Sequence, residues 1–169
     1  LRMAELGLRP PKGVIGLNAA LARFEGVAGW LFPMMAKLLA LNPLTAVLFT
    51  ATVTDRSVRR LLDGTGSRIG PEGVALYRRL ASDRAHVDAT LDMMAQWNVD
   101  GLVDRFPGLD LPVTLIASEG DTAVPWRTSE AAVQRLPRGR LVRVPGYGHL
   151  MHEEAPEETD RLIRAALAP

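Results

Sequence analysis

"LPVTLIASEGDTAVPW", residues 111 to 126, sets an uncharged apolar run directly before a polar loop. β-Branched Val113, Thr114 and Ile116 and the absence of charge up to Ser118 predict a strand buried on both faces. Asp121 then falls just past the strand's carboxyl end. Two more runs have this character: "GVIGL" at 13–17 and "GRLVRVPG" at 139–146. Helical patterns follow the last two strands. One covers Thr128 to Leu136, with apolar Ala131, Ala132 and Leu136; the other covers Pro156 to Leu167, with Leu162, Ile163, Ala166 and Leu167 on one side. Strand, helix, strand, helix at this spacing predicts an α/β fold of parallel strands joined by right-handed crossover helices.

The stretch between the first two strands breaks that rhythm. It reads as helices at about 31–41, 44–50, 55–62, 71–82 and 86–97, with breaks at Pro43, at "DGTGS" (63–67) and around Ser82 to Arg84. The expected organisation is therefore a core segment 1–18, an all-helical cap 19–105, and a second core segment 106–169. "GTGS" within the cap reads as a turn between two helices. Residues 27–53 are apolar enough to raise the question of a membrane span. Pro33, Lys37, Asn42 and Pro43 interrupt them before the roughly 20 apolar residues that a span needs. The cluster of Trp30, Phe32, Met34, Met35, Leu38 and Leu39 serves either as cap core or as a ligand-contacting surface. Both readings leave an apolar roof.

Bulk properties narrow the class. The 169 residues are 47% hydrophobic, enough for one substantial core. A net charge of +1, with eighteen arginines spread from Arg2 to Arg164, gives no nucleic-acid footprint. With no cysteine, disulfides and thiolate metal sites are excluded, and a reducing compartment such as the cytoplasm is the simpler expectation. "LRMAELGLRP" at the start has no signal pattern and no helix cap, and reads as the tail of a helix already under way.

Ligands of parallel α/β sheets sit outside the carboxyl ends of the strands. Asp121 follows the second strand, and His149, in "PGYGHL", follows the third, 28 positions later. One helix and one strand separate them, so two adjacent strand ends bring a carboxylate to an imidazole. A carboxylate that fixes the tautomer and a histidine that accepts a nucleophile's proton form two parts of an acyl-transfer triad. Asp121 would equally suit a turn cap, and His149 a structural loop. His152 is the rival in "HLMHEEAPEE": it offers metal-ligand chemistry beside Glu153 and Glu154. Pro156 suits the first turn of the next helix, with Glu157 and Glu158 at its positive end, which leaves both histidines in the preceding loop and without HExxH order. No metal site is expected. His86 reads as a solvated helix-end histidine and Trp97 as core. Asn18, just past the first strand, is a candidate ligand contact that turn chemistry explains equally well.

"EGDTAVPW" and "VPGYGHLMHEEAPEE" resemble the acid-loop and histidine-loop motifs of the α/β-hydrolase superfamily. "GVIGLNAAL", "GWLFPMMAKLLALNP", "RLLDGTGS" and "HVDATLDMMAQWNVDGL" resemble its magnesium-chelatase accessory branch, associated with bacteriochlorophyll synthesis. The likeness runs over almost the whole chain and covers the second half of the family's fold. It implies Asp121 and His149 at the triad's acid and histidine positions. It also implies a Gly-x-Ser-x-Gly elbow and an oxyanion-hole loop in a preceding half. Ser57, Ser67, Ser82, Ser118 and Ser129 include no such elbow, so the chain is expected to be a fragment whose partner is the other half of the fold.

Two functions stay open. One is a serine-hydrolase-type enzyme acting on a small apolar substrate, contacted by Asn18, Trp30, Phe32, Met34 and Met35, without a cofactor. The other is a non-catalytic accessory protein that holds a tetrapyrrole or docks on magnesium chelatase subunits.

Overall fold

The computed structural model describes residues 1–7, 11–21, 43–96 and 99–168. In chain order the helices are α1 (Arg2–Glu5), α2 (Pro43–Thr52), α3 (Asp55–Asp63), α4 (Pro71–Ala81), α5 (Arg84–Ala95), α6 (Asp100–Asp104), α7 (Trp126–Val133), α8 (Met151–Glu154) and α9 (Pro156–Leu167). The strands are β1 (Val14–Leu17), β2 (Val113–Ser118) and β3 (Gly139–Val144). Two compact units result: Leu1–Ala22 with Asp63–Arg68 and Val99–Pro169, and Arg23–Leu62 with Ile69–Asn98. Residues 63–68 and 99–105, inside the stretch assigned to a cap from sequence, thus group with the strands.

In the first unit the strands are parallel in the order β1-β2-β3, with Val14 opposite Val113 and Val113 opposite Gly139. The two-residue period of β2 divides the core. Val113 and Leu115 face a cluster with Phe106, Leu109, Leu111, Ala132 and Leu136. Ile116 faces the other side, against Val144, Met151, Leu162 and Ile163. Helices α7 and α9 consequently cover opposite faces, which a parallel sheet requires. Only β2 is buried along most of its length; β1 is half-buried and β3 exposes Arg140 and Arg143. The expectation of three doubly buried strands holds for β2, because it alone has a paired neighbour on each side among the described strands.

Short elements escaped the sequence reading. α6, the 3₁₀ turn Phe106–Gly108 and α8 are too short to display a 3.6-residue period. α8 also corrects the placement of His152, which lies in this one-turn helix and not in a loop. The turn forms because the Leu150 carbonyl accepts the N–H groups of Glu153 and Glu154 at 2.9 and 3.1 Å. α9 begins at Pro156, as expected, and Glu158 near its start accepts two hydrogen bonds from Arg161. Those bonds hold the Glu158 carboxyl below its usual range.

The second unit is helical where it is described. It buries Val58, Leu62, Val74 and Val87. Asp83 caps α5 by accepting the His86 N–H at 3.1 Å. Asp83→Ala leaves that donor to water and is expected to lower stability by about 1 kcal/mol, read from the midpoint of urea unfolding. The helix expected at 31–41 and Trp97 fall outside the described residues.

Candidate active site

The carboxyl ends of β1, β2 and β3 deliver Asn18, Asp121 and His149 to one place. Sequence dictates this directly: each residue stands in the loop that leaves its strand, and parallel pairing brings those loops together. The Asp121 side chain is fully buried. Its Oδ1 accepts the N–H groups of Ala123 and Val124, both at 2.8 Å, which is the turn-capping role. Its Oδ2 lies 2.7 Å from Nδ1 of His149. One carboxylate therefore both caps its own turn and meets the imidazole. The His149 ring is about one-third exposed, so it is oriented from behind and open in front.

The backbone of His149 is held at both polar groups. Its N–H donates to the Thr65 carbonyl at 3.2 Å, and its carbonyl accepts Nδ2 of Asn18 at 2.7 Å. Asn18 is buried and left-handed, with φ of 45°, a conformation that asparagine tolerates better than most side chains. Its Oδ1 accepts the Ser118 N–H at 2.7 Å. Its Nδ2 also donates to the Gly148 carbonyl and the Ser118 hydroxyl. The amide expected to contact a ligand is thus committed to tying three strand ends together. Of the other expected substrate contacts, Trp30, Phe32, Met34 and Met35 lie outside the described residues.

The sequence reading placed the turn at 63–68 within the cap and missed its contacts with the acid and histidine loops. Thr65 accepts N–H groups from both Thr122 and His149, and Thr122 Oγ1 donates to the Gly64 carbonyl at 2.8 Å. The Leu150 N–H donates to the buried Ser67 hydroxyl at 2.9 Å. Glu154 accepts the N–H groups of Arg68 and Gly148, each at 2.8 Å. At the two ends of the acid loop, Arg143 stacks 3.8 Å over the Trp126 ring and pairs with Glu119 at 2.5 Å. Nothing in one-dimensional spacing ties residue 65 to residues 122 and 149.

His152 is exposed, with Glu153 3.7 Å away, and the described residues contain no group of three or more His, Asp or Glu side chains able to hold a metal ion. The described helices include none long and apolar enough to cross a membrane. In the helical unit, an open groove of about 480 Å³ is lined by Phe49, Tyr77, Leu80, His86, Val87 and Leu91, among others. His86 is therefore exposed at this groove, and its backbone N–H carries the Asp83 cap.

A parallel sheet bearing a carboxylate after one strand and its histidine partner after the next defines an α/β-hydrolase-fold protein. The chain belongs to the alpha/beta hydrolase family, whose model matches residues 3–162. It is 46% identical over 155 residues to the magnesium-chelatase 30 kDa subunit of Rhodobacter capsulatus, covering 91% of this chain and 54% of that protein. An alpha/beta hydrolase fold protein from Burkholderia ambifaria superposes with a TM-score of 0.69 at 20% identity, over 95% of this chain and 58% of that one. MenH from S. aureus superposes at 0.72 and 15% identity, over 98% and 62%. At those identities the two solved structures speak for the fold. The chain spans little more than half the length of these relatives.

Proposed function

We propose that Asp121 and His149 are the acid and base of a Ser-Asp-His hydrolase acting on an apolar substrate, with the serine supplied from outside these 169 residues. The observation that carries this reading is the 2.7 Å contact between a buried carboxylate oxygen and His149 Nδ1. A carboxylate at Nδ1 keeps the proton there and leaves Nε2 as the base that accepts a serine proton. The imidazolium formed in that step is then stabilised by the same carboxylate. The helical unit, with its apolar groove, serves as the cap that recognises an apolar molecule.

Similarity to a magnesium-chelatase 30 kDa subunit favours a second reading, in which the protein holds a tetrapyrrole or docks on chelatase subunits without turnover. A serine-directed phosphonate offered to the full-length protein separates the two. Hydrolase chemistry predicts a covalent adduct on a serine, lost in His149→Ala and largely kept in His152→Ala, as read by intact-protein mass spectrometry. Equal labelling of both variants would sink the assignment of His149. Porphyrin binding that survives His149→Ala, with no adduct in the wild type, would establish the accessory role.

A further inference from the structure

The three loops around Asp121 and His149 meet at glycines. A Cβ built on Gly66 would stand 2.0 Å from the Gly120 carbonyl oxygen; one on Gly120, 2.7 Å from that of Tyr147; one on Gly148, 2.3 Å from Gly66 C and Ser67 N. Each glycine lets one backbone lie directly on the next. Gly66 also has φ of 82°, in the left-handed region. The turn at 63–68 supplies the third loop, although in sequence it leads from α3 to α4.

We infer that the turn Gly64–Arg68 is a positioning clamp for the acid-histidine pair, with Gly66 and Ser67 as its positioning residues. The inference rests on the proposed hydrolase reading and names what holds its geometry. The clamp grips the acid loop through Thr122, whose N–H donates to the Thr65 carbonyl at 3.3 Å and whose hydroxyl donates to that of Gly64. It grips the histidine loop at His149 N–H and Leu150 N–H, on the Thr65 carbonyl and the Ser67 hydroxyl. Glu154 closes it by accepting N–H groups from Arg68 on the turn and Gly148 on the histidine loop. Both sides of the 2.7 Å contact are thereby referred to one short segment. A hydrogen bond of that length does not survive independent drift of its two loops. The Ser67 hydroxyl accepts from the Leu150 N–H and the Gly66 N–H donates to the Asp63 carbonyl, not to the imidazole or the carboxylate, so their effect passes through the loops they hold.

The test uses the full-length protein with two readouts: the proton resonance of His149 Nδ1–H, assigned by its loss in His149→Ala, and the kinetics of phosphonate labelling. The variants are Gly66→Ala, Ser67→Ala and Glu154→Gln, with Gly70→Ala as the control, because a Cβ at Gly70 meets nothing within 4 Å. Gly66→Ala and Ser67→Ala are expected to broaden or shift the Nδ1 proton and to slow the saturating labelling rate about tenfold or more, since small misplacements of catalytic groups cost up to about 100-fold. Apparent phosphonate affinity should stay within about twofold, the split that separates positioning from binding. Glu154→Gln, which keeps one acceptor oxygen, should show a smaller change in the same direction, and Gly70→Ala none. Should Gly66→Ala fail to fold, Ser67→Ala and Glu154→Gln decide the matter. An unchanged Nδ1 resonance in folded Ser67→Ala and Glu154→Gln overturns the clamp. A wild-type protein that shows the resonance but takes no label overturns the hydrolase reading instead, and the resonance alone then decides the clamp.

Discussion

Under the proposed hydrolase function, Asp121→Asn is expected to cut turnover about 10⁴-fold while leaving the fold intact, the magnitude seen when a triad carboxylate becomes an amide. The surroundings dictate which way the new amide points. Ala123 and Val124 both donate N–H groups to the Oδ1 position, so an oxygen must stay there. The NH₂ group is therefore forced onto the Oδ2 position, 2.7 Å from His149 Nδ1. A donor facing Nδ1 makes that nitrogen the acceptor and moves the ring proton to Nε2. His149 would then keep its position and lose its capacity to take a proton. The check is a comparison of full-length wild type and Asp121→Asn: thermal unfolding should agree within a few degrees, while phosphonate labelling or ester turnover collapses. Turnover retained within about tenfold would show that the carboxylate only caps its turn.

Asn18→Ala carries the largest expected cost in stability, about 3 kcal/mol, because it strips partners from several buried groups at once. The Ser118 N–H and the carbonyls of Gly148 and His149 lose the amide that joins them. Each unsatisfied buried group costs about 1–3 kcal/mol, which entering water partly offsets. Alanine at φ of 45° adds left-handed strain. Asn18→Asp separates the two causes. It keeps a side chain that tolerates this backbone and an oxygen for Ser118 N–H, but turns its second oxygen toward the carbonyls of Gly148 and His149. If the donor matters, Asn18→Asp should be nearly as unstable as Asn18→Ala in urea unfolding. Wild-type stability for Asn18→Asp would show that the left-handed backbone alone fixes this residue.

The acid and histidine loops were legible because local chemistry writes them out. An apolar run ending in "EGD" and another ending in "GYGH" announce strands whose carboxyl ends carry a carboxylate and an imidazole, and parallel topology brings the two together. α9 was legible from Pro156 and its apolar stripe. Asn18 was legible as a residue at a strand's carboxyl end but not in its partners, since no pattern reveals that its amide is filled by Ser118, Gly148 and His149. The turn at 63–68 was misread for a related reason. Glycine and serine between two helical patterns signal a turn, and whether that turn stays with its helices or packs elsewhere depends on contacts about 55 to 85 positions away.

Composition, apolar periodicity and loop chemistry by themselves determined the α/β class, the parallel order of elements and the pair Asp121 and His149, because each depends on neighbours within a few residues or on the end of one strand. Tertiary structure alone decided that the Asp121 carboxylate divides its oxygens between a turn and an imidazole, that Asn18 faces the protein, and that Gly66, Gly120 and Gly148 stack three backbones. Hydrogen-bond partners and the absence of a Cβ acquire meaning only when segments distant in sequence occupy the same few ångströms.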